Sequence, residues 1–145
     1  MTSLDEPLWR SFRASARVAK GEAVCTFGEQ ESQRLPTRYT IQRGESDHIL
    51  LTPRALQFTN HSCDPNVAFD FERGRVVAVT AIELGDEIAY FYPSTEWEIA
   101  EPFACRCGST VCLEMIRGAR FTPPEVLARY RCSSFINARA RSLRL

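Results

Sequence analysis

Apolar residues occur in short alternating or continuous runs along most of the chain, a spacing typical of short β-strands. Runs of this kind lie at residues 18–27, 38–42 and 48–51. The next two, at residues 67–71 and 76–80, flank a Glu-Arg-Gly-Arg turn and predict a β-hairpin. We therefore expect many small strands in the N-terminal two thirds of the protein.

The pattern becomes helical towards the end of the sequence. A last long strand is predicted at residues 88–92, just before a proline. Thr122 then stands three residues before Glu125, the spacing of a capping box, and two prolines occupy the first turn. We expect this helix to run through Tyr130, with a second short helix around residues 135–138. The predicted fold class is mostly β with few helices, that is, α+β.

Composition places the chain among ordinary globular proteins. Its 145 residues are 44% hydrophobic and 25% charged, which suits one soluble domain. The formal net charge is zero, so bulk electrostatics give no reason to expect direct nucleic-acid binding. Residues 117–145 hold seven arginines against one acid, Glu125, and a solvated helix face explains this excess more simply than a partner-binding tail.

The sequence gives no sign of a membrane span or a secretion signal. Its apolar runs are all shorter than the roughly 18 residues that a membrane span needs. Asp5, Glu6 and Arg10 interrupt any signal-peptide pattern at the N-terminus. We therefore expect an intracellular protein, cytoplasmic or, in a eukaryote, nuclear, with no membrane partner.

Cysteines carry the clearest chemical signal in the chain. Four of them are spaced as metal ligands: Cys63, Cys105, Cys107 and Cys112. Four thiolates suit a closed, tetrahedral structural zinc site with about 2.3 Å between metal and sulfur. A reducing compartment also favours metal over disulfides. The remaining two cysteines, Cys25 and Cys132, are expected to be packed free thiols.

Three motifs follow one another in a recognisable order. Residues 60–66 read Asn-His-Ser-Cys-Asp-Pro-Asn, residues 85–92 read Gly-Asp-Glu-Ile-Ala-Tyr-Phe-Tyr, and residues 105–112 form a C-x-C-x4-C cluster. They resemble the N-H-S-C-x-P-N, G-E-E-L-x-[FY]-D-Y and post-SET cysteine motifs of the SET-domain protein lysine methyltransferases. Residues 14–22 resemble the opening strand and turn of the same family.

The resemblance implies a SET-domain fold of small antiparallel sheets with a pseudoknot-like core. Residues 60–66 should then lie against residues 85–92, although more than twenty residues separate them. Residues 1–100 would form the catalytic SET domain. Residues 101–145 would form the post-SET zinc segment and C-terminal helix, packed on the same domain.

The resemblance also implies an enzyme that transfers a methyl group from S-adenosylmethionine to a lysine side chain of a protein or peptide, histones being one candidate. Tyr92 carries over as the catalytic tyrosine. Tyr90 falls at the position that limits methyl number, which here favours monomethyl-lysine. The residues expected to bind the cofactor are Asn60, His61, Arg13 and Phe103. One structural zinc ion would be held by the four cysteines, in a monomer or a homodimer.

Two positions depart from the family pattern and keep other interpretations open. Phe91 stands where the family has Asp, and Trp9-Arg10-Ser11 stands where it has Gly-x-Gly. Glycines at that place would let the backbone approach a ligand closely. The short segment between the first strands and Asn60 allows a SET-fold methyltransferase of a small amine or amino acid as one alternative. A catalytically silent zinc-containing binding module is another, in which the tyrosine pair is simply core.

Overall fold

Short strands separated by turns make up most of the chain between residues 11 and 143, the part that the computed structural model describes. The strands are β1 (Ala23–Thr26), β2 (Gly28–Gln33), β3 (Ile41–Gly44), β4 (Asp47–Thr52), β5 (Asn60–His61), β6 (Val67–Asp70), β7 (Arg75–Ala78), β8 (Ala89–Tyr90), β9 (Phe103–Ala104) and β10 (Met115–Ile116). The helices are α1 (Pro124–Leu127) and α2 (Ser134–Ser142), with 3₁₀ turns at Arg54–Phe58, Tyr92–Ser94 and Ala119–Phe121. Trp9 and Arg10, at the Gly-x-Gly position, lie outside the described residues.

The strands form four small sheets. Two have three strands, in the orders β1-β7-β6 and β2-β4-β3, and both are antiparallel. The other two are pairs, antiparallel β9-β10 and parallel β5-β8. The predicted hairpin is present as β6 and β7, and Val67 pairs with Ala78. The prediction of a mostly β fold of small, chiefly antiparallel sheets is confirmed.

Two hydrophobic clusters support these sheets. The first lies under β6 and β7 and includes Val76, Ile82 and Ile88, all completely buried. These strands are apolar on both faces because neighbouring segments cover both sides. The second cluster joins Cys63 and Phe91 to buried residues from the C-terminal segment: Trp97, Ile116, Ala119, Leu127 and Ile136.

Several predicted elements are shorter or displaced. The strand expected at residues 38–42 begins only at Ile41, because the Thr40 hydroxyl donates to the carbonyl of Thr37 at 3.0 Å and closes a turn. The strand expected at residues 88–92 has its only ladder residues at 89–90, and Tyr92 opens a 3₁₀ turn instead. β2 was not predicted, since its residues are polar and largely exposed.

The predicted capping box at the first helix is wrong. The hydroxyl of Thr122 donates to the carbonyl of Gly118 at 2.8 Å, and Pro123 takes the N-cap position without a side-chain cap. The helix then ends at Leu127 rather than running through Tyr130. α2 is longer than expected and has a regular cap, because the Ser133 hydroxyl accepts the amide proton of Ile136.

Gly118 allows two distant segments to touch. Its φ of 121° is unfavourable for residues with a side chain, and an added Cβ would collide with the Trp97 carbonyl. The next two amides, of Ala119 and Arg120, donate to the carbonyls of Glu96 and Trp97 at 2.8 and 3.0 Å. The backbone of residues 96–97 is therefore fixed from the C-terminal side.

No helix within residues 11–143 combines the length and the apolar character that crossing a membrane requires.

Candidate active site

The two central motifs lie side by side, as expected. Asn60 pairs with Ala89 and His61 with Tyr90 in the parallel β5-β8 pair. The amide of Ser62 also donates to the Tyr90 carbonyl at 3.0 Å. The predicted contact between residues 60–66 and 85–92 is therefore confirmed.

A side-chain amide reinforces this very short ladder. Asn66 donates through Nδ2 to the carbonyl of Glu87 at 2.9 Å, and its Oδ1 accepts the Ala89 amide at 2.9 Å. The side chain of Asn66 thus makes two hydrogen bonds to the backbone in and beside β8, like those that a further strand residue would make. Two-residue strands alone would supply too few hydrogen bonds to fix the register.

A cavity of about 510 Å³ opens beside the strand pair. Its wall includes Thr37, Arg38, Thr40, Asn60, His61, Tyr90, Tyr92, Glu96 and all of residues 99–107. Five of the six residues predicted for catalysis or cofactor binding line this one cavity: Asn60, His61, Tyr90, Tyr92 and Phe103. Arg13 does not line it, and its exposed guanidinium donates to the carbonyl of Gly85 at 3.2 Å.

Two phenol rings lie next to each other in this wall. The ring centroids of Tyr90 and Tyr92 are 4.7 Å apart, and the Tyr92 hydroxyl donates to the Thr59 carbonyl at 2.7 Å. Burial raises the pKa of both phenols well above the ordinary value. Both hydroxyls therefore stay protonated at neutral pH and act as polar hydroxyl groups rather than as bases.

His61 connects the cavity to the cysteines. Its Nδ1 accepts the Tyr92 amide proton at 3.1 Å, which leaves the proton of a neutral ring on Nε2. Nε2 lies 3.3 Å from the sulfur of Cys63 and can donate to it. Burial lowers the pKa of His61 to about 4, so the neutral ring is the dominant form at pH 7.

The side chain of Asn60 is tied to the second motif. Its Nδ2 donates to the carboxylate of Glu87 at 2.6 Å, and the residue is exposed at the cavity rim. Phe103 also lines the cavity, with its ring centroid 5.8 Å from that of Tyr92. An elongated ligand could therefore run between a polar rim and an aromatic interior.

The four predicted metal ligands converge. The sulfur atoms of Cys63, Cys105, Cys107 and Cys112 all lie within 4.8 Å of one another. An ion held tetrahedrally by sulfurs at about 2.3 Å leaves neighbouring sulfurs about 3.8 Å apart. The cluster therefore fits a metal ion with only small adjustment.

Backbone amides donate hydrogen bonds to two sulfurs of this cluster. The Leu113 amide donates to the sulfur of Cys63, and the Glu114 amide to that of Cys112, both at 3.4 Å. Such outer hydrogen bonds orient metal-bound cysteines. Burial raises the pKa of Cys63 to about 11, and a bound cation would reverse that effect. All six cysteines are free thiols.

The sequence did not reveal Glu96 as part of the site. It is buried and lines the cavity together with the two tyrosines. Its neighbour Trp97 is buried in the second hydrophobic cluster, with the Arg139 guanidinium 5.1 Å from its ring centroid. In the sequence, the only feature that marks Glu96 is its position next to a tryptophan.

Comparison with known families agrees with this geometry. The SET domain model matches residues 10–93, which is more than half of the chain. The protein therefore belongs to the SET-domain family.

Two curated relatives have similar sequences. Methyltransferase flvH of Aspergillus flavus is 44% identical over 96 residues, covering 65% of this chain and 53% of the relative. The probable histone-lysine N-methyltransferase set-23 of Caenorhabditis elegans is 28% identical over 130 residues, covering 69% of this chain and 52% of the relative. The chain thus spans about half the length of the curated relatives it matches.

Solved structures show the same fold at low sequence identity. KRYPTONITE in complex with mCHG DNA and SAH superposes with a TM-score of 0.53 at 22% identity, covering 71% of this chain and 26% of that one. The methyltransferase domain of human histone-lysine N-methyltransferase SETMAR gives 0.50 at 17% identity, covering 73% of this chain and 53% of that one.

Proposed function

We propose that the protein is an S-adenosylmethionine-dependent lysine N-methyltransferase that acts on a protein or peptide. The observation that carries this proposal is the convergence of Asn60, His61, Tyr90, Tyr92 and Phe103 on one cavity. Family membership supports methyl transfer, and the relatives named as histone-lysine methyltransferases support a lysine acceptor. An intracellular location is proposed with it.

The cofactor would supply a methyl group on a positively charged sulfur. Transfer is an in-line displacement in which a bond forms between amine nitrogen and methyl carbon while the carbon–sulfur bond breaks. This requires collinear reactants in a site protected from water. Asn60, His61 and Phe103 would hold the cofactor, while Tyr92 would orient the amine with its hydroxyl. The role of Arg13 stays a prediction.

The cysteine cluster would serve this site indirectly. Zinc bound by four thiolates has no open position for substrate, so its role would be structural. Phe103 and Cys107, which belong to the cavity wall, lie in the segment that the ion would fix. Zinc would thereby hold residues 103–116 in place as one wall of the cavity.

An isotope-transfer experiment tests the proposed function. The protein is incubated with methyl-labelled S-adenosylmethionine and either a proteome extract, the H3(1–15) peptide, free lysine or n-butylamine. Mass spectrometry should find label on lysine side chains of protein, and the Tyr92→Phe variant should give none. Label found only on free amines would instead establish a small-molecule methyltransferase. Absence of cofactor binding by calorimetry would indicate a silent module.

A further inference from the structure

Glu96 is a buried carboxylate in the wall of the candidate active-site cavity. Only 5% of the residue is exposed, and it lines the same cavity as Tyr90 and Tyr92. It follows directly on the 3₁₀ turn that Tyr92 opens. The catalytic tyrosine and this carboxylate are therefore carried by one short, fixed segment.

One of the two carboxylate oxygens is fully engaged. Oε2 accepts the Gln42 amide and the Thr95 hydroxyl, both at 2.8 Å. Oε1 accepts no hydrogen bond from any residue between 11 and 143. The Trp97 amide donates to Oε1 of Gln42 at 2.8 Å, which ties the backbone next to Glu96 to the same residue. The carboxylate is positioned by one oxygen and has the other available for a ligand.

No cation within the described chain neutralises this carboxylate. The buried acid Asp70 lies within 4.0 Å of three arginines, whereas Glu96 forms no ion pair with residues 11–143. The other titratable groups that line this cavity are Arg38, His61, Tyr90, Tyr92, Glu101, Cys105, Arg106 and Cys107. A buried, unpaired carboxylate is costly, so its retention in a cavity points to a cationic ligand.

We propose that Glu96 binds the ammonium group of the acceptor through Oε1 and then takes its proton. This inference rests on the proposed methyl transfer. The N–H bond breaks and an O–H bond forms on Glu96, which leaves the nitrogen lone pair free. That pair then forms the bond to the methyl carbon, while the electrons of the carbon–sulfur bond return to sulfur. The product is a methylated ammonium and a neutral thioether.

The environment of Glu96 suits both steps. Burial raises its pKa to about 7, which makes it a better proton acceptor than an exposed glutamate while it stays ionised at alkaline pH. An apolar cavity and a nearby positive sulfur both lower the pKa of the bound amine. These two effects bring the pKa of the Glu96 carboxyl and the pKa of the bound amine closer together.

The test compares Glu96→Gln with Glu98→Gln. Glutamine keeps an oxygen for the Gln42 amide but carries no charge. Glu98 is two residues away, exposed, and paired with Arg120 at the surface at 2.6 Å, so it is the matched control. We expect Glu96→Gln to lower kcat/KM at least about tenfold and to remove the acidic limb of its pH profile. Glu98→Gln should change neither.

Measuring the binding of substrate-like probes gives a second test that does not depend on turnover. The probes are Nα-acetyl-lysine methylamide and its norleucine counterpart, which lacks the amine. Wild type with cofactor analogue bound should prefer the lysine probe at least about tenfold, and Glu96→Gln should lose this preference. At pH 6.5, binding of the lysine probe to wild type should release a proton, which calorimetry in different buffers detects. This measurement uses only the wild type, so it decides the question even if Glu96→Gln does not fold.

The outcomes separate this inference from the proposed function. An unchanged pH profile and retained lysine preference in Glu96→Gln overturn the role of Glu96 while methyl transfer stands. If Glu96→Gln weakened the binding of both probes equally, Glu96 would be a structural residue, and the proposed role would again be overturned. If wild type methylates no acceptor, the proposed function fails, and the probe preference alone decides whether Glu96 binds ammonium.

Discussion

The ring of Phe91 stacks flat on the ring of Tyr130, with centroids 3.6 Å apart and an angle of 8° between the planes. Tyr130 also donates its hydroxyl to the Cys63 carbonyl at 2.6 Å. Phe91 lies between the two cavity tyrosines in sequence but packs in the second hydrophobic cluster. This contact accounts for one departure from the family pattern, because the residue serves to attach the C-terminal helical segment rather than to act on a ligand.

Tyr92→Phe should reduce methyl transfer at least about 100-fold, a loss typical of removing one oriented catalytic hydroxyl or amide donor. Its hydrogen bond to Thr59 contributes only about 1 kcal/mol to stability, so the variant should fold. Initial rates and calorimetric cofactor affinity measure the two effects. Full turnover by the variant would show that Tyr92 is not catalytic.

Tyr90→Phe should shift the product from monomethyl- towards di- or trimethyl-lysine. In the proposed site the buried hydroxyl would take up space next to Tyr92 that additional methyl groups need. Mass spectrometry of a single-lysine peptide gives the product distribution, and the cofactor affinity serves as the control. Trimethylation by the unmodified protein would mean that this position does not limit methyl number.

Metal analysis should find about one zinc ion per chain in the wild type. The Cys112→Ser variant should lose this ion, and the Cys25→Ser variant should keep it. Cys25 is the matched control, since it is a half-buried thiol outside the cluster. Loss of the ion should destabilise the protein by several kcal/mol and expose residues 103–116 to protease. Full metal content in Cys112→Ser would contradict the ligand assignment.

Glu96→Gln should be more stable than wild type at alkaline pH but not at acid pH. The folded-state pKa of Glu96 is raised from 4.5 to about 7, so the folded protein binds the extra proton between these values. The wild-type free energy of unfolding therefore falls as pH rises through this window, by about 3 kcal/mol at most. Urea unfolding from pH 4 to 8 measures the difference, and Glu98→Gln should show no such trend.

Gly118→Ala should destabilise the protein by about 3 kcal/mol or more, because a Cβ would strike the Trp97 carbonyl. Gly21→Ala is the control: its φ of 90° is also positive, but nothing lies within 4 Å of the added atom. That variant should cost only about 1–2 kcal/mol. Equal losses in thermal or urea unfolding would show that the close approach to Trp97 is unimportant.

Much of the site could be predicted because the motifs identify residues that share a family role. The contact between residues 60–66 and 85–92 followed from that resemblance, the four-cysteine cluster followed from the cysteine spacing, and both are present in the structure. Glu96 could not be predicted in this way. Its burial depends on the amide of Gln42 and on the close approach of Gly118, both distant in sequence.

The missed elements have local physical reasons. β2 is polar and exposed, so no hydrophobic period marks it, and only its ladder with β4 makes it a strand. The helix after Thr122 is short because that hydroxyl bonds backward to Gly118 instead of capping. The partner of β2 is distant in sequence, whereas the partner of the Thr122 hydroxyl is a carbonyl only four residues before it.

The parallel pairing of β5 with β8 has a consequence for synthesis on the ribosome. Asn60 and His61 emerge before their partners at residues 89–90 exist, and Cys63 emerges long before Cys112. The first motif therefore has no native partner during a substantial part of translation. Contacts of such long sequence separation fold slowly and late. The nascent chain should accordingly gain protease resistance in one step, only after residue 118 has emerged.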